Sequence, residues 1–200
     1  DVIENIDFYK SGFPARFGGK MSSVVDITTR DGNFYDYHGT FAIGLIDGHL
    51  QFEGPIVKGK TSFNVGLRRT WIETISEPIL YFFNKENKPD KLTLGYSFSD
   101  LNAKVTHKFS PKNVLRGSFY MGRDVFRYKQ YNFSEYYQVG EDGVAEIHRQ
   151  QENDMGIPMN WGNTLGSLDW KWDISDRLSM NVAAYYTRSH SRLGFYFEDW

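Results

Sequence analysis

Long runs in which every second residue is apolar constrain this chain more than any other feature. Tyr37, Gly39, Phe41, Ile43 and Leu45 share one face, and His38, Thr40, Ala42 and Gly44 share the other. Leu50, Phe52 and Ile56 alternate with His49, Gln51 and Glu53, and Phe63, Val65 and Leu67 with Asn64, Gly66 and Arg68. The same period returns at Leu101, Ala103, Val105 and Phe109, at Leu115, Gly117, Phe119 and Met121, at Leu168, Trp170, Trp172 and Ile174, and at Leu178, Met180, Val182, Ala184 and Tyr186. A period of two places successive side chains on opposite faces of a strand. Turn chemistry separates the runs at Asp47-Gly48, at Lys58, Gly59 and Lys60, at Ser110 through Asn113, and at Ser175, Asp176 and Arg177. Residues 72–91 and 128–160 show no clear period and read as long loops. The expectation is about seven strands after residue 34, many of roughly ten residues or more, longer than the ~5–6 usual in soluble sheets.

Composition supports strands and excludes several functions. The chain holds 16 Phe, 13 Tyr, 5 Trp and 19 Gly, a mixture that favours strands and turns over helices. With 23 Lys+Arg against 25 Asp+Glu the net charge is -2, which lacks the basic excess a nucleic-acid binder needs. Cysteine is absent, so disulfides and thiolate metal sites are excluded. No run approaches the ~18 apolar residues of a membrane helix. That leaves a membrane β-barrel open, because such a barrel crosses with alternating segments of about ten residues.

The apolar strand face has two homes. It meets a second sheet in a soluble sandwich, or lipid in a membrane barrel whose polar face lines the lumen. Connection lengths favour the barrel. If the strands run up and down, the turns at 58–60, 110–113 and 175–177 fall at one end and the two long loops at the other, the asymmetry of outer-membrane barrels. Only Asp47-Gly48 is short on the long-loop side. Phe109, Trp161, Trp170 and Trp172 read as strand-end aromatics of the kind found at membrane interfaces. Seven strands cannot close in lipid with an open edge, so the chain is expected to be a piece of a larger barrel. The opening residues, from Asp1 to Phe13, carry no basic and apolar signal pattern.

Residues 1–33 differ from the rest. A strand at 2–9 leads to a Gly-rich loop at 11–20, then to a second strand at 22–30 ended by Asp31, Gly32 and Asn33. The loop lacks the spacing of a phosphate cradle. Ile3, Ile6, Gly12, Ala15, Phe17, Gly18, Val25, Ile27, Thr29 and Arg30 resemble the end of the plug domain of TonB-dependent outer-membrane receptors, most closely those of the Bacteroidetes group. Residues 44–70, with Glu53, Gly54, Pro55 and Ile56 and with Arg68, Arg69 and Thr70, look like the first barrel strands of the same receptors. The likeness covers residues 1–70; beyond them only the strand pattern speaks. It implies an all-β fold in which 1–33 is the C-terminal end of a plug and 34–200 the first strands of a 22-stranded transmembrane antiparallel barrel. It also implies TonB-dependent import of a scarce nutrient (ferric siderophore, cobalamin, peptide or oligosaccharide) across the outer membrane of a Gram-negative bacterium. The implied partners are outer-membrane lipid, the TonB-ExbB-ExbD complex acting through an N-terminal segment outside this sequence, and a possible surface lipoprotein. The competing readings are an outer-membrane anchor or adhesin, and a soluble or surface-anchored all-β binding module without transport.

Site chemistry points away from catalysis. His38, His49, His107, His148 and His190 are scattered without metal-ligand spacing, no acid and base face each other across a predicted cleft, and no nucleophile elbow is present. No enzyme activity, cofactor or metal is expected. The charges to follow are Arg16 and Arg30 at the plug end and Glu53 and Arg68, which face inward if the apolar face meets lipid. Arg16 or Arg30 is expected to pair with Glu53 as a plug–barrel contact of modest strength, suited to release. In the loop expected at 128–160, Tyr131, Tyr136 and Tyr137, with Trp161 beside it, are candidates for binding a small organic ligand or peptide.

Overall fold

The structure is a computed structural model. It describes every residue except 1, 11, 13, 15, 16, 19–21 and 140–144, and leaves aside the side chains of 137–139 and 145–149. The chain is all-β, with antiparallel sheets and, among the described residues, one helix. β1 (Ile3–Lys10) and β2 (Ser23–Thr29) pair with each other in a two-stranded sheet. The eight-stranded sheet contains β3 (His38–Ile43), β4 (Asp47–Val57), β5 (Thr61–Thr70), β6 (Lys91–Ser110), β7 (Asn113–Val139), β8 (Ala145–Ser175), β9 (Leu178–Leu193) and β10 (Tyr196–Asp199). β3 through β9 pair as sequential neighbours, and β10 returns to β8 beyond the end of β9. The sheet is not closed.

Four expectations require correction. The residues expected to form a loop at 72–91 instead contain helix α1 (Ile72–Glu86). Its apolar residues Ile72, Ile75, Ile79, Phe82 and Phe83 follow helical spacing, masked in the sequence by Pro78 in the interior. The helix covers a sheet edge. β5 stops pairing at Arg69–Ser99, which leaves the upper half of β6 without a strand on that side. Asn84 fills the gap by donating to the Leu92 carbonyl at 2.9 Å and accepting from the Leu92 N–H at 2.7 Å, while Ser76 donates to the Leu94 carbonyl at 3.0 Å. Side chains thus replace a missing ladder, as exposed backbone groups require.

The expected loop at 128–160 is mostly strand. β7 and β8 stay paired from Asn113–Trp172 to Val139–Ala145 with one irregularity at Tyr136/Tyr137. Sequence periodicity fails there because both faces of the hairpin are polar or aromatic, so no apolar stripe marks the strand. The strand count also rises to eight, since β9 and β10 are separate segments along one edge of β8. Pro158 offers that edge a carbonyl, which accepts the Gly194 N–H at 2.9 Å, but no N–H, and the ladder breaks at this point. Finally, the Asp47-Gly48 pair lies inside β4. The turn is at 44–46, closed by the Gly44 N–H on the Asp47 carbonyl at 2.6 Å. Gly48 serves a close approach: a Cβ there would lie 2.5 Å from the Trp71 ring, whose indole donates to the Leu45 carbonyl at 3.0 Å. The turn at Gly59 does need glycine, which sits at φ +71°.

Register settles which residues share a face. On the outer face one row runs Phe52, Val65, Ala103, Phe119, Gly166 and Tyr186, and the next Gly54, Phe63, Val105, Gly117, Leu168 and Ala184. The rows from Leu115 to Met121 form an apolar band about 23 Å tall at ~3.3 Å per residue, before any tilt. Trp170 and Trp172 stack at its lower border with ring centroids 5.7 Å apart. Trp161, expected at a strand end, is interior to β8 and on the opposite face. The polar face is the covered one. Gln51, Ser62, Asn64, Thr70, Lys104 and Thr106 are buried, and Val24 is the one buried hydrophobic among the described residues.

Candidate functional site

What buries the polar face is the segment that follows β2. From Thr29 it lies against β5 and β6 on the polar side, where the Arg116 side chain of β7 reaches it, then passes the β4–β5 turn and emerges on the apolar side. Gly32 lies against the backbone of Phe63, so closely that a Cβ would sit 1.9 Å from its carbonyl oxygen. The Gly59 N–H donates to the Phe34 carbonyl at 2.9 Å, and Lys108 Nζ lies 3.6 Å from the Phe34 ring centroid. Asn33 turns the chain by accepting from the Tyr35 and Asp36 N–H groups at 2.8 and 2.9 Å. Tyr37 then covers Gly54 from outside, donates to the Pro55 carbonyl at 2.9 Å and stacks on Phe52 at 6.0 Å.

Asp31 is the centre of this crossing. Its carboxylate meets Lys104 Nζ at 2.8 Å, accepts from Thr106 Oγ1 at 2.9 Å and takes Arg116 Nε at 3.3 Å. Lys104 also donates to the Thr29 carbonyl, and its side chain is only 7% exposed. Burial alone would push the Asp31 carboxyl up; the hydrogen bond and charge of Lys104, the Thr106 hydroxyl and the Arg116 charge outweigh it. The carboxyl is therefore held below its ordinary value of 3.8. Arg116 also reaches Asp169 on β8 at 3.7 Å, so one carboxylate draws on β6 and β7 directly and on β8 through Arg116.

The structure brings Arg30 and Glu53 together, with Nη2 to Oε2 at 3.3 Å. Beside them Asn64 donates to the Arg30 carbonyl at 3.3 Å and accepts from Gln51 Nε2 at 3.2 Å. Arg16 lies outside the described residues. Arg68 is on the polar face but apart from this cluster. It meets Asp47 Oδ2 at 2.8 Å and lies 4.8 Å from the Phe98 ring centroid. A cavity of about 980 Å³ separates β1 and β2 from the polar face, bordered by Val2, Ile27 and Thr29 on one side and His49, Arg68, Asp100 and Tyr120 on the other.

The ligand candidates do not form one surface. Trp161 faces the polar side and stacks on Tyr96 at 6.3 Å; Tyr96 in turn donates to Asp124 at 2.7 Å. Tyr131 faces the opposite side, with Lys91 Nζ 6.0 Å from its ring centroid. Tyr136 is exposed beyond it, and the Tyr137 side chain lies outside the described set. Alternation with Val105 and Leu115 puts Lys104 and Arg116 on the polar face, but it does not point to Asp31 as their partner. The hydrogen bonds of Asp31 with Thr106 and Arg116 span 75 and 85 positions, and nothing local signals them. Among the described residues no three His, Asp or Glu gather as metal ligands. No described helix is long and apolar enough to cross a membrane. Compared with known protein families, curated proteins and solved structures, the chain matches none.

Proposed function

We propose that this chain forms part of a transmembrane barrel whose lumen holds the end of a plug, and that the barrel imports a scarce nutrient across an outer membrane with energy from a TonB-type complex. The observation that carries the reading is the inverted polarity of the sheet. Its covered side chains are Gln, Ser, Asn, Thr and Lys, while Phe41, Val105, Leu168 and Tyr186 stand exposed. Water-soluble proteins rarely leave so large a contiguous apolar surface bare. In lipid the same face is at home, and the polar face becomes a wet lumen. The open edges at β3 and β9 then call for further strands, because unpaired backbone cannot face hydrocarbon. The partly exposed Arg30–Glu53 pair is modest, which suits a contact that aligns a segment at rest and gives way under load. The sequence likeness of residues 1–70 to TonB-dependent receptors supplies the transport part of the proposal.

The test is the electrophoretic mobility of the native polypeptide from a membrane fraction, boiled and unboiled. A closed barrel gives an apparent mass several-fold above the chain's 23.3 kDa and a shift on boiling. A water-soluble species near that mass, with no shift, overturns the reading and leaves an all-β binding module.

A further inference from the structure

The upper border of the apolar band is cationic on the outer face. On β7 the outward residues after Met121 are Arg123, Val125 and Arg127. On β9 those after Tyr186 are Arg188, His190 and Arg192. Register aligns them across β8: Met121 with Thr164 and Arg188, Arg123 with Gly162 and His190, Val125 with Asn160 and Arg192. No carboxylate of these three strands faces outward in those rows. All four arginines are exposed, and no ion pair engages them among the described residues. The next row but one ends the basic stretch, where Lys129 meets Asp154 at 2.7 Å.

Gly162 has no side chain, and the His190 ring fills the space so closely that a Cβ would lie 2.7 Å from its Cε1. Adjacent strands are ~4.8 Å apart, so Arg123 and His190 flank Gly162 about 10 Å from each other at their Cα atoms. Arg188 and Arg192 are about 13 Å apart along β9. An arginine side chain is long enough for guanidinium groups on such a frame to reach one multivalent oxyanion, the kind of group they bind bidentately. Asn160 adds a neutral donor.

We propose that this patch binds the phosphate group of an anionic lipid whose acyl chains lie on the apolar band below it. The inference rests on the membrane reading above. Continuity decides the occupant. The cations begin in the row where the band ends, and the Arg188 row itself contains Met121. A soluble phosphate would use the charges and leave the adjoining apolar surface unused, whereas a lipid uses both.

Spin-labelled lipids added to the native polypeptide in bilayers test this and separate the two readings. Labelled phosphatidylcholine should show a motionally restricted component at the protein surface. Labelled phosphatidic acid should associate about fivefold more strongly or better, since each basic residue near a membrane surface is worth roughly a factor of five. In the Arg123→Gln/Arg188→Gln/Arg192→Gln variant the preference should fall to near one, with the phosphatidylcholine component unchanged. Equal association of the two lipids with the unaltered protein overturns the lipid site and leaves the membrane reading standing. Absence of any restricted component overturns both. Loss of the preference in excess inorganic phosphate, at constant ionic strength, assigns the patch to a soluble anion instead.

Discussion

The two faces of the large sheet reverse the usual relation between hydropathy and cover. On the inner face Lys104 is 6% exposed and Asn64 is wholly buried; on the outer face Phe41 is 69% exposed and Tyr186 63%. Lys104 and Asn64 are tolerated inside because each finds a partner. Lys104 has Asp31 and the Thr29 carbonyl, and Asn64 has Gln51 and the Arg30 carbonyl. The outer face has no such partners and asks only for an apolar neighbour. The same strand thus obeys two rules, one on each side, and the difference lies in what covers it.

The sharpest way to break this comparison is to remove the carboxylate that makes the inner face possible. Asp31→Ala leaves Lys104 buried with a carbonyl but no counter-charge. Breaking one partner of a buried pair costs about 3–5 kcal/mol, and the urea midpoint of the native polypeptide should fall accordingly. Lys104→Met should cost less, because Arg116 and Thr106 still serve Asp31. A loss below about 1 kcal/mol for Asp31→Ala would mean that the segment is held by Gly32 and Asn33 and not by charge.

Next in size is a charge placed on the other face. Phe119 is in the middle of the apolar band, in the row with Ala103 and Gly166. In lipid, Phe119→Arg should cost about 2–4 kcal/mol, as an arginine does near the bilayer midplane of a barrel. In water the same change at a residue already 40% exposed should stay near ~0.5 kcal/mol, the range of surface substitutions. Unfolding titrations in bilayers therefore separate a lipid-facing surface from a water-facing one.

How much of this could be read beforehand depends on which face carried the signal. Wherever the outer face is apolar, as from Leu115 to Met121, alternation marked the strand and both of its faces. Once the chain leaves the band, from Tyr128 upward, both faces become polar and the period vanishes although the strand continues for many residues. α1 was hidden by Pro78 and by its Glu, Asn and Lys content, and its purpose is visible only when β5 is seen to stop short of β6. The pairing of Arg16 or Arg30 with Glu53 was expected from the inward face of Glu53 and the resemblance of residues 1–33 to a plug end, and Arg30 is found at Glu53. Asp31 was read only as the end of a strand. Its site exists through residues far along the chain, which a local pattern cannot join.

The Asp31 network also carries a pH signature, smaller than its deletion. Its carboxyl is depressed in the folded chain, so its contribution is present in full above the ordinary value of 3.8 and is lost as pH falls through the lower folded value. Protease cleavage within residues 22–37 should therefore rise as pH drops below about 3.8, measured with an acid-active protease. Asp31→Asn should abolish that rise and raise cleavage at neutral pH. An identical profile in both proteins would assign the acid sensitivity to other carboxylates.

The smallest expected effect belongs to Arg30 and Glu53. The Arg30 side chain is 42% exposed and that of Glu53 13%, so screening leaves the pair roughly 1 kcal/mol or less. A double-mutant cycle with Arg30→Gln and Glu53→Gln should return a coupling of that size, which added salt reduces. Weakness is what the proposed role demands. A contact of several kcal/mol here would add to the Asp31 cluster and resist release, whereas a weak one sets alignment without holding. Glu53→Lys turns the attraction into repulsion beside Asn64 and should alter uptake by the native polypeptide while leaving its amount in the membrane unchanged. If uptake and abundance both stay as before, the pair has no part in holding the segment after β2, and the inner face depends on Asp31 alone.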